Sequence, residues 1–303
     1  MNDIERAEKA EEFYVSYLAF AESLFKGLIE RRELDYESVS KKVKAVSEYV
    51  LHDRHYLMQA KHIVGQTANE NYHVAHLVRT SIIAMIIGTY LKLPHYKHIE
   101  LGIAALLCDI GVLKLRPDIY MNNNTLTEQE KKLIHVHTIH AYKTLKSLNF
   151  PLSICDGVLE HHEREDGTGY PQNLTGEHIC LYGKIIAVAC SYEAFSIKSV
   201  EEEKCGHTGM LKLLKNEGNH FDKTIIRALV YSLSIFPVGL YVLMSDGAHG
   251  QVVEPDPENP HYPFVRLLDE PLLDGKIKPV RTCPDGLFIV RPLTREEVET
   301  VRV

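Results

Sequence analysis

The middle of the chain carries the sequence His161-His162-Glu163-Arg164-Glu165-Asp166-Gly167-Thr168-Gly169-Tyr170-Pro171. Two adjacent histidines beside a carboxylate can form half of a metal site, because imidazole and carboxylate ligands together suit Zn, Fe or Mn. The glycines and the proline that follow indicate a tight loop, since glycine tolerates backbone angles that other residues avoid and proline stops regular structure. This stretch therefore predicts metal ligands at the end of a helix, followed by a turn-rich loop.

Neighbouring residues of a helix point about 100° apart, so both rings can face one metal only near a helix end or at a wide site. A pair of adjacent histidines alone would be assigned to a charged surface loop. The whole stretch is far more specific. It matches every fixed position of the signature HHExxDGxGYP, and in this it resembles the HD-GYP family, which is part of the HD superfamily of metal-dependent phosphohydrolases. The resemblance extends over residues 66–235. It implies hydrolysis of the bacterial second messenger cyclic di-GMP.

The composition is that of a globular protein. The chain has 303 residues, of which 45% are hydrophobic and 25% are charged, so it can form one large domain and smaller ones. Its net charge of -7, without a long basic run, argues against binding of a nucleic-acid polymer through its phosphates. The 17 histidines favour a metal site without locating it.

The sequence predicts a cytoplasmic protein without a membrane span. The N-terminus is acidic and helical, unlike a signal peptide. The most apolar run, residues 82–91, is too short to cross a bilayer. The six cysteines show no CxxC spacing, which fits a reducing compartment with thiols that are free or bind a metal.

The predicted fold class is mainly α, an HD-type helical bundle with an N-terminal helical extension and a small C-terminal antiparallel β unit. Residues 1–65 show helical periodicity in two segments, which predicts a hairpin or dimerisation element, with a helical cap on the main domain as the alternative. A homodimer through these helices, or a signalling protein partner, follows from the first interpretation. Residues 66–235 form the HD-GYP domain, and residues 236–303 carry short apolar segments separated by turn residues, a pattern typical of strands.

The family resemblance implies a first metal site with four ligands, namely Asp109, His137, His161 and His162. Asp109 ends a strongly apolar helix, where an unpaired carboxylate would be costly. His137 lies eleven residues after Leu126, at the family's spacing, which sets aside the nearby His135 and His140. All of these ligands are present.

A second metal site, by the same resemblance, would use His73 and Asp109 together with two positions that are now cysteine. Cys108 replaces the histidine of a His-Asp-Ile-Gly-Lys motif, and Cys190 replaces an aspartate. Three hypotheses follow. The cysteines bind a metal, which would then be Zn because thiolates favour it; they are small buried hydrophobic residues, leaving one metal or none; or they form a reversible disulfide. The predicted cofactor is thus one or two divalent ions of Fe, Mn or Zn.

Two further departures concern cations near the phosphate. Val112 occupies the place of the motif's lysine, which makes Lys114, two positions on, the candidate catalytic cation beside Asp109. The family's phosphate-contacting arginine has no clean counterpart, and Lys198 lies beside its position. The predicted ligand-binding residues are Glu163, Asp166, Gly167, Gly169, Tyr170, Pro171 and Lys198.

The leading hypothesis is that the protein binds cyclic di-GMP, or a related nucleotide, at a metal centre and has weak or altered phosphodiesterase activity. The alternative is a catalytically inactive sensor or interaction protein on the same fold. Retention of the complete signature favours ligand binding. The residues now at positions 108, 112, 190 and 199 argue against ordinary turnover.

Overall fold

A computed structural model describes residues 3–30, 34–64, 72–115, 127–198, 205–216, 219–256, 258–268 and 279–301. The chain divides into two compact units, Met1–Ser191 with Gly218–Ile225, and Tyr192–Glu217 with Ile226–Val303. The division into three regions at residues 65 and 235 stays a prediction.

Helices dominate the described part of the chain, as predicted. In chain order they are α1 (Asp3–Ile29), α2 (Tyr36–Val64), α3 (Tyr72–Tyr90), α4 (His95–Leu107), α5 (Glu128–His135), α6 (His137–Ser147), α7 (Leu152–Glu160), α8 (Leu181–Lys198), α9 (Cys205–Asn216), α10 (Lys223–Leu233) and α11 (Arg295–Val301). Two short 3-10 turns cover Ile110–Lys114 and Gly176–His178.

The start of α5 follows directly from the local sequence. The Thr127 hydroxyl accepts a hydrogen bond from the Glu130 amide, and the Glu130 carboxylate accepts one from the Thr127 amide. This reciprocal capping box satisfies two backbone donors that a helix start otherwise leaves unpaired. The helix therefore begins where the Thr-x-x-Glu pattern predicts.

The core of the first unit is built around α3. Its apolar run is buried among α1, α2 and α4. This burial accounts for a hydrophobic stretch that is too short to span a membrane. No helix in the described ranges is long and apolar enough to cross a bilayer. The buried residues include Ile82, Ile83, Met85, Ile86 and Ile87 of α3 and Leu101, Ile103 and Leu106 of α4.

The N-terminal helices pack on this core. The Tyr17 hydroxyl of α1 lies 2.8 Å from the Ser81 hydroxyl of α3. The buried His98 ring of α4 places Nδ1 2.7 Å from the Ser47 hydroxyl of α2, and Nε2 2.7 Å from the Met85 carbonyl of α3. Because a carbonyl only accepts, Nε2 carries the proton and Nδ1 accepts from Ser47. Dimerisation through these helices stays a prediction.

The second unit contains the predicted β structure. Five antiparallel strands, β1 (Tyr241–Met244), β2 (His249–Glu254), β3 (Phe264–Leu267), β4 (Val280–Arg281) and β5 (Ile289–Pro292), form one sheet in the order β4-β3-β2-β1-β5. One face buries Val242, Met244, Val252, Val265 and Leu267. The two-residue strand β4 was not predicted, because a strand so short shows no alternation.

The 3-10 turn after α4 lies directly against α6. A methyl group added to Gly111 would overlap the backbone carbonyl of His137 and approach the amide nitrogen of Ala141 to 2.8 Å. Both obstacles are backbone atoms, which cannot rotate away. The glycine thus allows the end of α4 to lie against the start of α6.

We expect Gly111→Ala to lower the free energy of unfolding by about 1–3 kcal/mol or more, because the added methyl must push two backbone segments apart. Chemical denaturation measures the change. Gly88→Ala on α3 is the matched control, since its neighbours at 3.0–3.3 Å are side-chain atoms of Leu101, His98 and Leu93 rather than backbone atoms. The control should stay within roughly 1 kcal/mol of the native protein, helped by alanine's helix propensity. Equal stability of the two variants would contradict the close approach.

Candidate metal centre

Four side chains meet where three helix ends converge. Asp109 follows the end of α4, His137 is the first residue of α6, and His161 and His162 follow the end of α7. Their ligand atoms all lie within 4.8 Å of one another. The structure therefore brings together the four residues that the sequence predicts for the first metal site.

Backbone carbonyls orient two of the imidazoles. Nδ1 of His137 lies 2.7 Å from the Ile134 carbonyl, and Nδ1 of His161 lies 2.8 Å from the Val158 carbonyl, each three residues earlier. A carbonyl only accepts, so each Nδ1 donates, and in the neutral ring each Nε2 presents a lone pair. This is the arrangement in which an outer partner fixes the tautomer of a metal-binding histidine.

Both Nε2 atoms face Asp109. They lie 3.1 Å (His137) and 3.3 Å (His161) from the same carboxylate oxygen, yet both are buried without a well-aligned hydrogen-bond partner. Two lone pairs directed at one anionic oxygen repel unless a cation or a proton lies between them. Three imidazoles and one carboxylate suit Zn, Fe or Mn. By its donor set and by these two buried nitrogens, the site fits a divalent metal.

The electrostatics of the centre favour a cation. Burial alone would raise the pKa of Asp109, but the contacts with His137 and His161 bring it well below its usual range. Burial tends to lower the pKa of His137, and the Asp109 carboxylate raises it above its ordinary value. Burial, with His161 and His137 nearby, holds the pKa of His162 well below normal. A low histidine pKa keeps the imidazole neutral, the form that binds metal.

Apart from Asp109, which both sites would share, the residues predicted for a second metal lie outside this four-residue group. Nε2 of His73 is buried and has no hydrogen-bond partner among the described residues. The buried Cys108 thiol donates to the Ala105 carbonyl at 3.3 Å, and the Cys190 sulfur lies 3.1 Å from Nε2 of His76. In the described part of the chain, only Asp109, His137, His161 and His162 meet as a group of at least three candidate ligands. The second site stays a prediction.

The predicted cations are not placed at the centre. Lys114 is exposed at the end of the 3-10 turn, while Val112 in the same turn is buried. Lys114 lowers the pKa of His140 on α6, after the larger effect of burial. Lys198 is the last residue of α8, and its side chain lies outside the described residues. A catalytic role of Lys114 and a ligand contact of Lys198 stay predictions.

Glu163 closes the loop of the signature sequence. Its buried carboxylate accepts hydrogen bonds from the Gln172 amide at 2.6 Å and the Leu174 amide at 2.9 Å. The two carboxylate oxygens thus tie the start of the loop to its end. This use of both oxygens gives Glu163 a structural role, and the predicted ligand contact is untested.

Gly169 lets the loop cross itself. A methyl group at this position would overlap the backbone at His162, Glu163 and Arg164. The Tyr170 amide donates to the His162 carbonyl at 3.1 Å, which carries the tyrosine back to the histidine pair. Gly169 and Pro171 therefore flank Tyr170, which the loop places next to the histidine pair.

Asp166 and Gly167 shape the turn of the same loop. The Asp166 carboxylate accepts from the Thr168 amide at 3.0 Å and from its hydroxyl at 2.6 Å, as in an Asx turn. Gly167 has a φ of +76°, in the left-handed region that glycine adopts without strain. The geometry gives both residues turn-forming roles, and their predicted ligand contacts are likewise untested.

Tyr170 lies between two histidine rings. It stacks on His162 with centroids 4.7 Å apart and on His135 with centroids 3.7 Å apart. His135 ends α5 and was set aside in the sequence analysis in favour of His137. Nothing in the spacing of the histidines predicts this stack, because it forms only when the loop returns to α5.

Comparisons with known proteins agree with this architecture. Residues 57–225 match the model of the HD domain family. The cyclic di-GMP phosphodiesterase PdeB of Borreliella burgdorferi is 30% identical over 240 residues, covering 77% of this chain and 62% of the relative. A cyclic di-GMP phosphodiesterase of Pseudomonas aeruginosa is 28% identical over 233 residues, covering 77% of this chain and 56% of the relative. The chain thus spans about three fifths of these curated relatives.

A solved structure shares the fold. An HDG"Y"P protein from Bdellovibrio bacteriovorus aligns with a TM-score of 0.57 and 18% sequence identity, covering 76% of this chain and 72% of that one. At this identity the likeness concerns the fold alone.

We expect Glu163→Gln to loosen the signature loop. A glutamine side chain has one acceptor oxygen, so one of the two loop amides loses its partner at a cost of about 1–3 kcal/mol. Hydrogen exchange of the amides at Gln172 and Leu174 should accelerate, and limited proteolysis should cut within the loop. Glu177→Gln, an exposed glutamate of the neighbouring 3-10 turn, is the control. Unchanged exchange in Glu163→Gln would refute the role assigned to its carboxylate.

A divalent metal should stabilise the protein in a pH-dependent way. Binding requires neutral imidazoles, whose ordinary pKa is about 6.5, so protons displace the metal as the pH falls. Adding Mn or Zn ions to metal-free protein should raise the thermal midpoint at about pH 8 and leave it unchanged at about pH 5. Asp109→Ala should remove the response at both pH values. A shift of equal size in Asp109→Ala would place the metal elsewhere.

Proposed function

Because the chain belongs to the HD-GYP family of HD-domain proteins, we propose that it binds a cyclic dinucleotide at a metal centre formed by Asp109, His137, His161 and His162. The observation that carries this proposal is the convergence of four ligand atoms within 4.8 Å. Cyclic di-GMP is the first candidate ligand, because both curated relatives described above are named as its phosphodiesterases.

The chemistry proposed for the centre is phosphodiester hydrolysis. A divalent metal there supplies a Lewis acid for a phosphate oxygen and lowers the pKa of a bound water. The chain's own contribution is orientation: the Ile134 and Val158 carbonyls hold the rings of His137 and His161 with their lone pairs inward. The Glu163 carboxylate holds the loop that places Tyr170 beside His162. Mn, Fe and Zn are the candidate metals.

The surroundings favour weak or altered turnover. Val112 is apolar and buried where the family motif has a lysine, and Lys114 is exposed. Removing one group that stabilises transition-state charge costs roughly 10²–10³ in rate in other enzymes. We therefore propose slow hydrolysis of the cyclic dinucleotide.

The second candidate function is an inactive sensor. The observation that favours it is that Cys108 and Cys190 engage the Ala105 carbonyl and His76, rather than joining the metal group. In this version the nucleotide is bound and released unchanged, and a signalling protein partner or a second copy of the chain receives the signal. A cytoplasmic location belongs to the same proposal.

Metal-loaded protein should bind cyclic di-GMP, and Asp109→Ala and His161→Ala should each weaken binding at least about tenfold, which corresponds to about 1.4 kcal/mol. The reason is that each variant removes a ligand of the metal that holds the phosphate. Isothermal titration calorimetry measures the binding. His95→Ala, an exposed histidine on α4, should bind like the native protein.

Chromatography of the same mixtures separates the two functions. Slow appearance of the linear dinucleotide, lost in Asp109→Ala, supports the phosphodiesterase. Binding without any linear product supports the sensor. Metal-loaded protein that binds no cyclic di-GMP would count against this ligand in both versions.

A further inference from the structure

We infer that the centre holds one metal ion, and that a contact between His76 and Cys190 closes the place of a second. The inference rests on the proposed metal centre and concerns the side chains next to it. It addresses the fate of the two cysteines, for which the sequence left three hypotheses open.

The side chains of His76 and Cys190 contact each other. Nε2 of His76 on α3 lies 3.1 Å from the sulfur of Cys190 on α8. At tetrahedral Zn, bond lengths of about 2.3 Å to sulfur and about 2.0–2.1 Å to nitrogen separate the two ligand atoms by about 3.6 Å. The observed separation is shorter than that and is within the range of a direct hydrogen bond between a thiol and an imidazole.

Cys108 contacts the backbone at the end of its own helix. Its side chain is fully buried, and its thiol donates to the Ala105 carbonyl at 3.3 Å, one turn earlier in the chain. Cys108 therefore behaves as a small buried residue with a weak donor.

Too few metal ligands remain for a second ion. The first site already has four candidate ligands within 4.8 Å, enough for a tetrahedral ion. For a second ion, His73 offers a buried Nε2 that has no hydrogen-bond partner in the part of the chain that the structure describes, and Asp109 could be shared. With Cys108 and Cys190 engaged elsewhere, these two donors fall short of the usual four.

A centre with one ion would have a single Lewis acid for the phosphodiester. Two-metal sites divide these tasks between two ions. The cysteines would thus lower the number of ions and leave the four residues of the first site together.

The test is metal stoichiometry on the full chain, freed of metal and reloaded separately with Mn(II) and Co(II). Elemental analysis after gel filtration should find one ion per chain. The Co(II) protein should lack the near-ultraviolet absorption of a sulfur–cobalt bond. The double variant Cys108→His/Cys190→Asp, which supplies an imidazole and a carboxylate, should bind two ions per chain, and Cys190→Asp alone tests the closing contact if the double variant fails to fold.

Cys283→Ser, an exposed thiol of the second unit, should keep one ion per chain. Two ions in the native protein, with sulfur–cobalt absorption that Cys190→Ala removes, would overturn the inference and leave the four-residue centre intact. One ion per chain in every folded variant would also overturn it, since the cysteines would not then set the count. Native protein that binds no ion would instead refute the metal centre on which the proposed function depends.

Discussion

The carboxylate of Asp109 faces two imidazole lone pairs, and much of the first unit is arranged to keep it there. The Ile134 and Val158 carbonyls turn His137 and His161 so that each Nε2 points inward. Gly111 lets the turn after α4 lie against the start of α6, which sets the distance between Asp109 and His137. Lone pairs and a carboxylate at 3.1–3.3 Å are unfavourable neighbours without a positive charge, so the arrangement has the form of a cation site.

The signature loop depends on a second buried carboxylate. Glu163 accepts hydrogen bonds from two loop amides. Gly169 has only a hydrogen atom as its side chain, which lets the loop pass close to the backbone at His162, Glu163 and Arg164. Together they return Tyr170 to His162 and His135. Most of the signature residues therefore have a structural role in the loop. That role accounts for them without a ligand contact, which is a proposal.

The same site combines an intact part and an altered part. The four residues of the first metal group lie together, and the departures from the family motif fall at positions 108, 112 and 190. A buried valine, a thiol bonded to a backbone carbonyl and a thiol facing His76 each remove a charge or a lone pair. This pattern is the physical basis for proposing binding with slow or absent turnover.

The sequence by itself determined the helical fold and the C-terminal sheet, and the family motif predicted the four residues that meet at the candidate centre. Helical periodicity, alternation in strands, the capping box at Thr127 and the signature motif act over a few residues, which a linear pattern records. Tertiary structure alone decided the roles of His76 and His135. Nε2 of His76 meets a sulfur 114 positions away, and His135 meets a loop that must first fold back. Such contacts depend on how whole helices are placed and on which ring nitrogen faces which neighbour, and no local pattern records either.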